Sequence, residues 1–123
     1  MKKAIFDTSL LLTAVKEKID VFDEMTRLGI SVVIPEQVLN ELKSIAESSP
    51  EKNLRENSSL ALKILNKSHF EKIKIPGKIV DNAIINFAKE NPDFIVATLD
   101  RDIKKKVKNS KLVIRQKKKL GVV

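Results

Sequence analysis

Short apolar runs alternate with amphipathic stretches along the whole chain. Runs such as Ile5-Phe6, Val32–Ile34 and Phe94–Ala97 are rich in aliphatic residues and predict strands that are buried on both faces. Between these runs, apolar positions recur three and four residues apart, which predicts helices. The predicted strands are 3–7, 31–34, 70–75, 94–98 and 112–114, and the predicted helices are 8–18, 20–28, 35–46, 54–65, 79–89 and 100–108.

Alternation of buried strands with helices is typical of a parallel sheet covered on both faces. We therefore expect an α/β fold, a three-layer α/β/α sandwich with a mainly parallel central sheet of about five strands. A chain of 123 residues is long enough to bury a core of its own. No composition shift marks a boundary, so residues 1–123 are expected to form a single domain.

The composition excludes several classes of site. The chain has no cysteine and only one histidine, His69, which excludes disulfides, thiolate metal centres and multi-histidine sites. His69 lies away from every acidic motif, and we expect it to have no catalytic part. No apolar run is long enough to cross a bilayer, so we expect a cytoplasmic protein with no membrane partner.

Positive charge is concentrated at the end of the sequence. The chain has 24 basic and 16 acidic residues, a net charge of +8. Segment 101–119 holds ten of the basic residues and one acid, so it carries +9 while residues 1–100 carry −1. Such a segment favours contact with a polyanion, with a solvated, solubilising tail as the alternative. It has no aromatic residue on which bases could stack, so we expect phosphate contacts rather than base recognition.

The candidate RNA-binding residues of this segment are Arg101, Lys104, Lys105, Lys108, Lys117, Lys118 and Lys119. If the helix runs to residue 108, Lys104 and Lys108 share a face, and Lys106 lies about 200° from Lys104.

Four carboxylates are expected at one edge of the sheet, where parallel strands end. Asp7 ends the first predicted strand, Asp100 follows the fourth, and Asp81 begins a helix. Glu41 lies about 60° from Val38 on its helix and is predicted to stay close to the core. Each aspartate is also a favourable N-cap, which is the structural alternative. Clustered carboxylates repel one another and select hard cations such as Mg²⁺, Mn²⁺ or Ca²⁺.

Four blocks of the sequence together resemble the PIN-domain nuclease family. They are Ile5–Ser9, Pro35–Leu42, Asp81–Ile84 and Val96–Asp102, and they follow the order of the four acidic motifs of that family. The resemblance implies that Asp7, Glu41, Asp81 and Asp100 are the catalytic, metal-binding carboxylates. It also implies an auxiliary metal-binding acid at Asp102 and supporting hydroxyls at Thr8, Ser9 and Thr98. Ser9 stands where many members have asparagine.

The resemblance implies a Mg²⁺- or Mn²⁺-dependent endoribonuclease that hydrolyses phosphodiester bonds of single-stranded RNA. Segment Ala97–Lys105 is similar to the archaeal and eukaryotic rRNA-processing branch, which favours a role in RNA processing. The alternatives are a toxin ribonuclease of a toxin–antitoxin pair and a non-catalytic RNA- or protein-binding module. Beyond RNA, the sequence leaves open a homodimer, a pre-ribosome or an antitoxin as the partner.

Overall fold

A four-stranded parallel sheet forms the centre of the computed structural model, which describes all 123 residues. Its strands are β1 (Lys2–Phe6), β2 (Ile30–Pro35), β3 (Glu71–Ile73) and β4 (Ile95–Ala97), in the order β3-β2-β1-β4. In the middle of the sheet, Ile5 pairs with Val33 on one side and with Val96 on the other. All three side chains are buried, which explains why the strands read as uninterrupted apolar runs.

Helices cover both faces of this sheet. The steps from β1 to β2 and from β2 to β3 run in one direction along the sheet, whereas the step from β3 to β4 runs back. Because crossovers between parallel strands are right-handed, the helices of the last step lie on the opposite face. None of the helices combines the length and apolar character needed to cross a bilayer. The helices are α1 (Thr8–Lys16), α2 (Val21–Leu28), α3 (Glu36–Ser48), α4 (Lys52–Asn66), α5 (Val80–Glu90) and α6 (Arg101–Lys106).

The predicted α/β class and the order of the elements are confirmed, but the strand count is wrong. The predicted fifth strand exists as β5 (Leu112–Arg115), yet it pairs with a strand that the sequence did not predict, β6 (Lys119–Val122). These two antiparallel strands form a separate sheet, here called the C-terminal hairpin (residues 112–122). One isolated bridge, between Val96 and Lys111, joins it to β4.

The basic end of the chain is therefore folded and does not form a tail. The sequence does not predict the turn of this hairpin, because tight hairpin turns usually contain Asn or Gly. Here Lys117 and Lys118 adopt the left-handed conformation, with φ of 61° and 60°. Lysine rarely takes these angles, so the local sequence carries no turn signal.

A buried carboxylate on α2 anchors the C-terminal hairpin. Glu24 Oε1 accepts hydrogen bonds from the backbone N–H of Leu120 and from Arg27, both at 2.9 Å. Arg27 in turn donates to the carbonyl oxygen of Leu120 at 2.8 Å, and Lys119 Nζ lies 3.6 Å from Glu24 Oε2. Both backbone groups of Leu120 are thus satisfied by α2, and the hairpin packs against that helix.

Glu24→Gln is expected to lower the melting temperature at neutral pH. The hydrogen bond from Arg27 is the main reason that the pKa of Glu24 falls from 4.5 to about 2, with further contributions from the Leu120 N–H and from Lys119. Because the folded pKa is the lower one, the stabilisation is present above pH 4.5 and is lost as the pH falls towards 2. Thermal unfolding followed by circular dichroism between pH 7 and 2.5 should show the two curves converging.

The matched control is Asp23→Asn, which removes an exposed carboxylate whose side chain makes no hydrogen bond or ion pair. If Glu24→Gln unfolds like the wild type at pH 7, the hairpin is held by other contacts.

Candidate active site

Asp7 and Asp100 lie at the same edge of the sheet because β1 and β4 are parallel neighbours. Asp7 directly follows β1, and its backbone N–H donates to the carbonyl oxygen of Ala97, the last residue of β4, at 2.9 Å. Asp100 follows three residues later as the N-cap of α6. The connection thus brings together two carboxylates that are more than ninety residues apart in the sequence.

Asp7 is buried, and its side chain is held by a compact hydrogen-bond network. It is 4% exposed. Its Oδ1 accepts from the Thr8 N–H at 2.8 Å, which caps α1, and its Oδ2 accepts from the hydroxyls of Thr98 at 2.8 Å and Ser9 at 3.1 Å. Each of these hydroxyls also accepts a backbone N–H, from Asp100 and Leu99 respectively, both at 3.1 Å. The network fixes the orientation of the carboxylate and ties β1 to the loop after β4.

Thr8 and Ser9 differ in what they contribute. The hydroxyl of Ser9 is a member of the network around Asp7, so the serine retains an orienting hydrogen bond. The hydroxyl of Thr8 is buried and has no hydrogen-bond partner. Only the backbone N–H of Thr8 contacts Asp7.

Asp100 is both a helix cap and a carboxylate with a free oxygen. Its Oδ1 accepts from the N–H groups of Asp102 at 2.8 Å and Ile103 at 3.3 Å. Its Oδ2 accepts no hydrogen bond. Capping and ligand binding are therefore compatible in this residue, since each uses a different oxygen.

Asp81 enters the site from the first turn of α5, on the opposite layer from α3. The loop before it is held by Gln37 of α3, whose amide Nε2 donates to the carbonyl oxygens of Gly77, at 3.0 Å, and Ile75. Gln37 was not among the site residues predicted from the sequence. Its position one turn before Glu41 on α3 was the available signal, since the two side chains share a helix face.

Glu41 is more exposed than the helix periodicity predicted. The angular argument placed it closest to the core among the acids of α3, but Glu41 is exposed and Glu36 is partly buried. The prediction was wrong because it considered one helix alone, whereas the packing of α3 against α4, α1 and β2 decides which of its side chains are covered. The charge of Glu41 nevertheless acts on Asp7.

Charges of the neighbouring acids act on two of the five carboxylates, Asp7 and Asp81. Burial raises the pKa of Asp7 above its usual value of 3.8, hydrogen bonds from Thr98, Thr8 and Ser9 lower it, and the charge of Glu41 raises it. Partial desolvation raises the pKa of Asp81, and the negative charges of Asp7, Asp100 and Asp102 raise it further. These side chains therefore share one region of negative potential.

Four of the five acids have no cationic partner in a chain with 24 basic residues. Only Asp102 makes an ion pair, with Lys106 at 3.1 Å. The structure contains no group of three acidic or histidine side chains close enough to hold a metal ion. The unpaired oxygens of Glu41, Asp81 and Asp100 are hard donors, which suit Mg²⁺ or Mn²⁺.

Six of the seven predicted RNA-binding residues form two groups. Arg101, Lys104 and Lys105 lie on α6, directly after Asp100. Lys117, Lys118 and Lys119 lie on the C-terminal hairpin, which packs on α2, the helix that leads into the amino end of β2. No hydrogen bond or ion pair joins these hairpin lysines to the five acids.

Two further predictions concern α6 and His69. The helix ends at Lys106, so Lys108 is outside it and does not share a helix face with Lys104, contrary to the prediction. The helix is shorter because Val107 is extended, with φ −121° and ψ 146°. His69 is exposed just before β3 and makes no hydrogen bond or ion pair.

Comparison with known proteins identifies the family. The family described as "PIN like domain" matches residues 4–119, nearly the whole chain. The chain belongs to the PIN-domain family. The resemblance read from the four acidic blocks is thereby confirmed.

One curated relative and two solved structures each match more than four fifths of the chain. It is 31% identical over 124 residues to Ribonuclease VapC4 of Methanocaldococcus jannaschii, covering 96% of this chain and 94% of that protein. Its fold is similar to the structure of the PIN domain endonuclease Utp24, with a TM-score of 0.78 and 23% identity, over 98% of this chain and 90% of the other. A domain of a functionally unknown protein from Methanocaldococcus jannaschii aligns with a TM-score of 0.52 and 19% identity, over 84% and 81%.

Asp7→Asn should leave the PIN domain folded and raise its melting temperature at neutral pH in metal-free buffer. Asparagine caps helices about as well as aspartate, and burial opposes ionisation of Asp7, whose folded pKa is raised. The wild-type residue therefore favours the folded state most below pH 3.8, and this advantage is lost as the pH rises through the folded pKa.

Melting curves at pH 3.5 and pH 7.5 test this expectation. The gain of Asp7→Asn over the wild type should be larger at pH 7.5. Asp20→Asn, at the exposed N-cap of α2, controls for the replacement of a cap. A clear loss of stability at pH 7.5 in Asp7→Asn would contradict the expectation.

Proposed function

We propose that this PIN-domain protein is a Mg²⁺- or Mn²⁺-dependent endoribonuclease that cuts single-stranded RNA, with RNA processing as its role. One observation carries the proposal: Asp7, Glu41, Asp81 and Asp100 share a region of negative potential and have no cationic partners. Like charges a few ångströms apart raise one another's pKa and are stabilised together by a cation. The ribonuclease relative VapC4 supports the same reaction class.

The oxygen donors of the site suit a hard divalent cation, although no three acidic side chains lie close enough to hold one in this structure. The free oxygen of Asp100 and the unpaired carboxylates of Asp81 and Glu41 would hold it, while the hydroxyls of Thr98 and Ser9 keep the Asp7 carboxylate fixed at the end of β1. When bound, such a cation supplies an activated water and offsets charge on the phosphoryl oxygens during in-line attack. The absence of histidine and cysteine in the site leaves oxygen as the sole ligand type.

The side chains of this chain would perform four tasks. Asp7, rigid and buried, sets the position of negative charge at the end of β1. Thr98 and Ser9 keep its carboxylate in one orientation, because each donates to the same oxygen. Asp102, which faces Lys106, would serve as an auxiliary acid that orients water. Arg101, Lys104 and Lys105 bring positive charge to the rim of the site, where they would contact phosphates.

A second candidate role is that of a toxin ribonuclease held inactive by an antitoxin partner. The toxin role is a candidate because the chain is 31% identical to Ribonuclease VapC4 and 23% identical to Utp24. Expression of the wild type and of Asp7→Asn in a host cell distinguishes the two roles. Growth arrest by the wild type alone, relieved by the product of an adjacent reading frame, would favour the toxin. Altered pre-rRNA processing without arrest would favour RNA processing.

Replacing either of two carboxylates should abolish cleavage without unfolding the protein. Asp7→Asn and Asp81→Asn keep the shape of the side chain and remove one negative charge each. The rate at which they cleave a fluorescently labelled single-stranded RNA, measured in about 5 mM Mn²⁺ or Mg²⁺, should be about 100-fold or more below the wild-type rate. Circular dichroism verifies the fold.

The matched control for these variants is Asp93→Asn, an exposed acid in the loop before β4. If Asp7→Asn and Asp81→Asn both cleave RNA at the wild-type rate, these residues have only a structural role at the start of their helices. Cleavage that persists in EDTA would refute the dependence on metal.

Divalent cations should stabilise the folded protein by mass action. At a metal concentration about 100 times Kd, the gain is about 2.7 kcal/mol, which raises the melting temperature by several degrees. Differential scanning fluorimetry should show the shift for Mn²⁺ in the wild type and in Asp93→Asn, and a much smaller one in Asp100→Asn. Equal shifts in all three proteins would place the cations elsewhere.

A further inference from the structure

A basic concavity lies on the α5/α6 face, between the end of α5 and the segment that follows α6. It is open and has a volume of about 350 Å³. It is lined by Ala88, Pro92 and four polar residues, Lys89, Lys106, Lys108 and Asn109. Neither Lys89 nor Lys106 was among the residues that the sequence singled out for RNA binding.

The backbone around the concavity is held rigidly by Asn109. This side chain is buried, and its amide Nδ2 donates to the carbonyl oxygens of Ala88 at 3.1 Å, Asn91 at 3.0 Å and Phe94 at 2.9 Å. One residue thus joins the end of α5, the loop before β4 and the segment after α6. The backbone positions of the lining lysines are fixed relative to one another, although their side chains extend into solvent.

Positive charge in the concavity is largely uncompensated. Lys89 and Lys108 make no ion pair, and Lys106 pairs with Asp102 at 3.1 Å. The acids nearest in sequence, Glu90 and Asp93, do not line it. Three lysines around a depression repel one another, and concave walls concentrate their field, so an anion is the ligand that this arrangement favours.

The concavity lies one helix length from the acids. Asp81 stands at the start of α5 and Lys89 near its end, eight residues later, which corresponds to about 12 Å along the axis. On α6, Asp102 and Lys106 are four residues apart, about 6 Å along the helix axis, and form an ion pair at 3.1 Å. With about 3.4 Å per nucleotide along a stacked strand, 12 Å corresponds to about three or four nucleotides.

We infer that this concavity binds a backbone phosphate of the RNA strand, about three or four nucleotides from the phosphodiester that faces the acids. The inference rests on the proposed function for the identity of its ligand. Lys89 and Lys108 supply the free charges. Lys106 links the phosphate site to the acidic site through Asp102, so a strand lying along α5 and α6 contacts both.

This arrangement assigns Lys106 and Lys108 to one site, whereas helical periodicity paired Lys108 with Lys104. The structure differs because α6 ends at Lys106 and the extended Val107 redirects the chain. Lys104 is partly buried and does not line the concavity.

The test is RNA binding by the double variant Lys89→Gln/Lys108→Gln, with Lys106 retained because it pairs with Asp102. Binding of a fluorescent 12-nucleotide single strand is measured by anisotropy in EDTA at several salt concentrations. Loss of two phosphate contacts should flatten the slope of log affinity against log salt by up to about 1.4, at about 0.7 per contact. The control Lys63→Gln/Lys67→Gln removes the same charge around the end of α4 and should retain the wild-type slope.

A second measurement locates the contacted phosphate. Replacing single phosphates by neutral methylphosphonates should weaken wild-type binding most at one or two consecutive positions, and Lys89→Gln/Lys108→Gln should lose that sensitivity. An unchanged salt slope, or sensitivity retained in the double variant, overturns the phosphate site. RNA binding with the expected loss but no cleavage by the wild type would refute the proposed function alone. No RNA binding by the wild type overturns both.

Discussion

Burial of the Asp7 carboxylate at the junction of β1 and β4 is the constraint on which the candidate site depends. A carboxylate that is 4% exposed is tolerated only if its oxygens are hydrogen-bonded, and three residues from two segments meet this need. Those segments are the first turn of α1 and the loop after β4. The requirement to satisfy one buried charge therefore places Asp100 and the start of α6 beside the end of β1.

The same constraint explains why capping and chemistry are not competing roles here. Asp100 caps α6 with one oxygen and leaves the other free, and Asp7 caps α1 with one oxygen while hydroxyls hold the second. Parallel strands bring successive helix N-termini to one edge, so each cap also adds negative charge to that edge. Asp7 and Asp100 are thus fixed by local helix geometry before any ligand binds.

Local sequence was sufficient for much of this protein and insufficient for the rest. Apolar runs predicted β1, β2 and β4, and the alternating residues 70–75 predicted β3. The carboxyl-edge rule predicted that Asp7 and Asp100 lie at the same edge of the sheet. Glu41 was misjudged because its exposure depends on elements packed around α3, which a helical wheel does not contain. The hairpin turn was missed because Lys117 and Lys118 occupy angles that Asn or Gly usually take. Glu24 and Asn109 were missed because they hydrogen-bond to backbone groups far away in the sequence, and no residue spacing predicts such contacts.

The anchoring of the C-terminal hairpin by Glu24 also protects the protein from intermolecular strand pairing. A sheet edge with free N–H and C=O groups is a template on which other chains aggregate. On one side, the edge strand β3 has only three residues, and Glu71 and Lys72 are exposed along it. On the other side, the edge of β4 is met by the segment that enters the hairpin, through the bond from the Val96 N–H to the Ser110 carbonyl oxygen. Protonation of Glu24 in acid would loosen the hairpin and expose the edge of β4. The protein would then self-associate along β4 at low pH, while the central sheet is still formed.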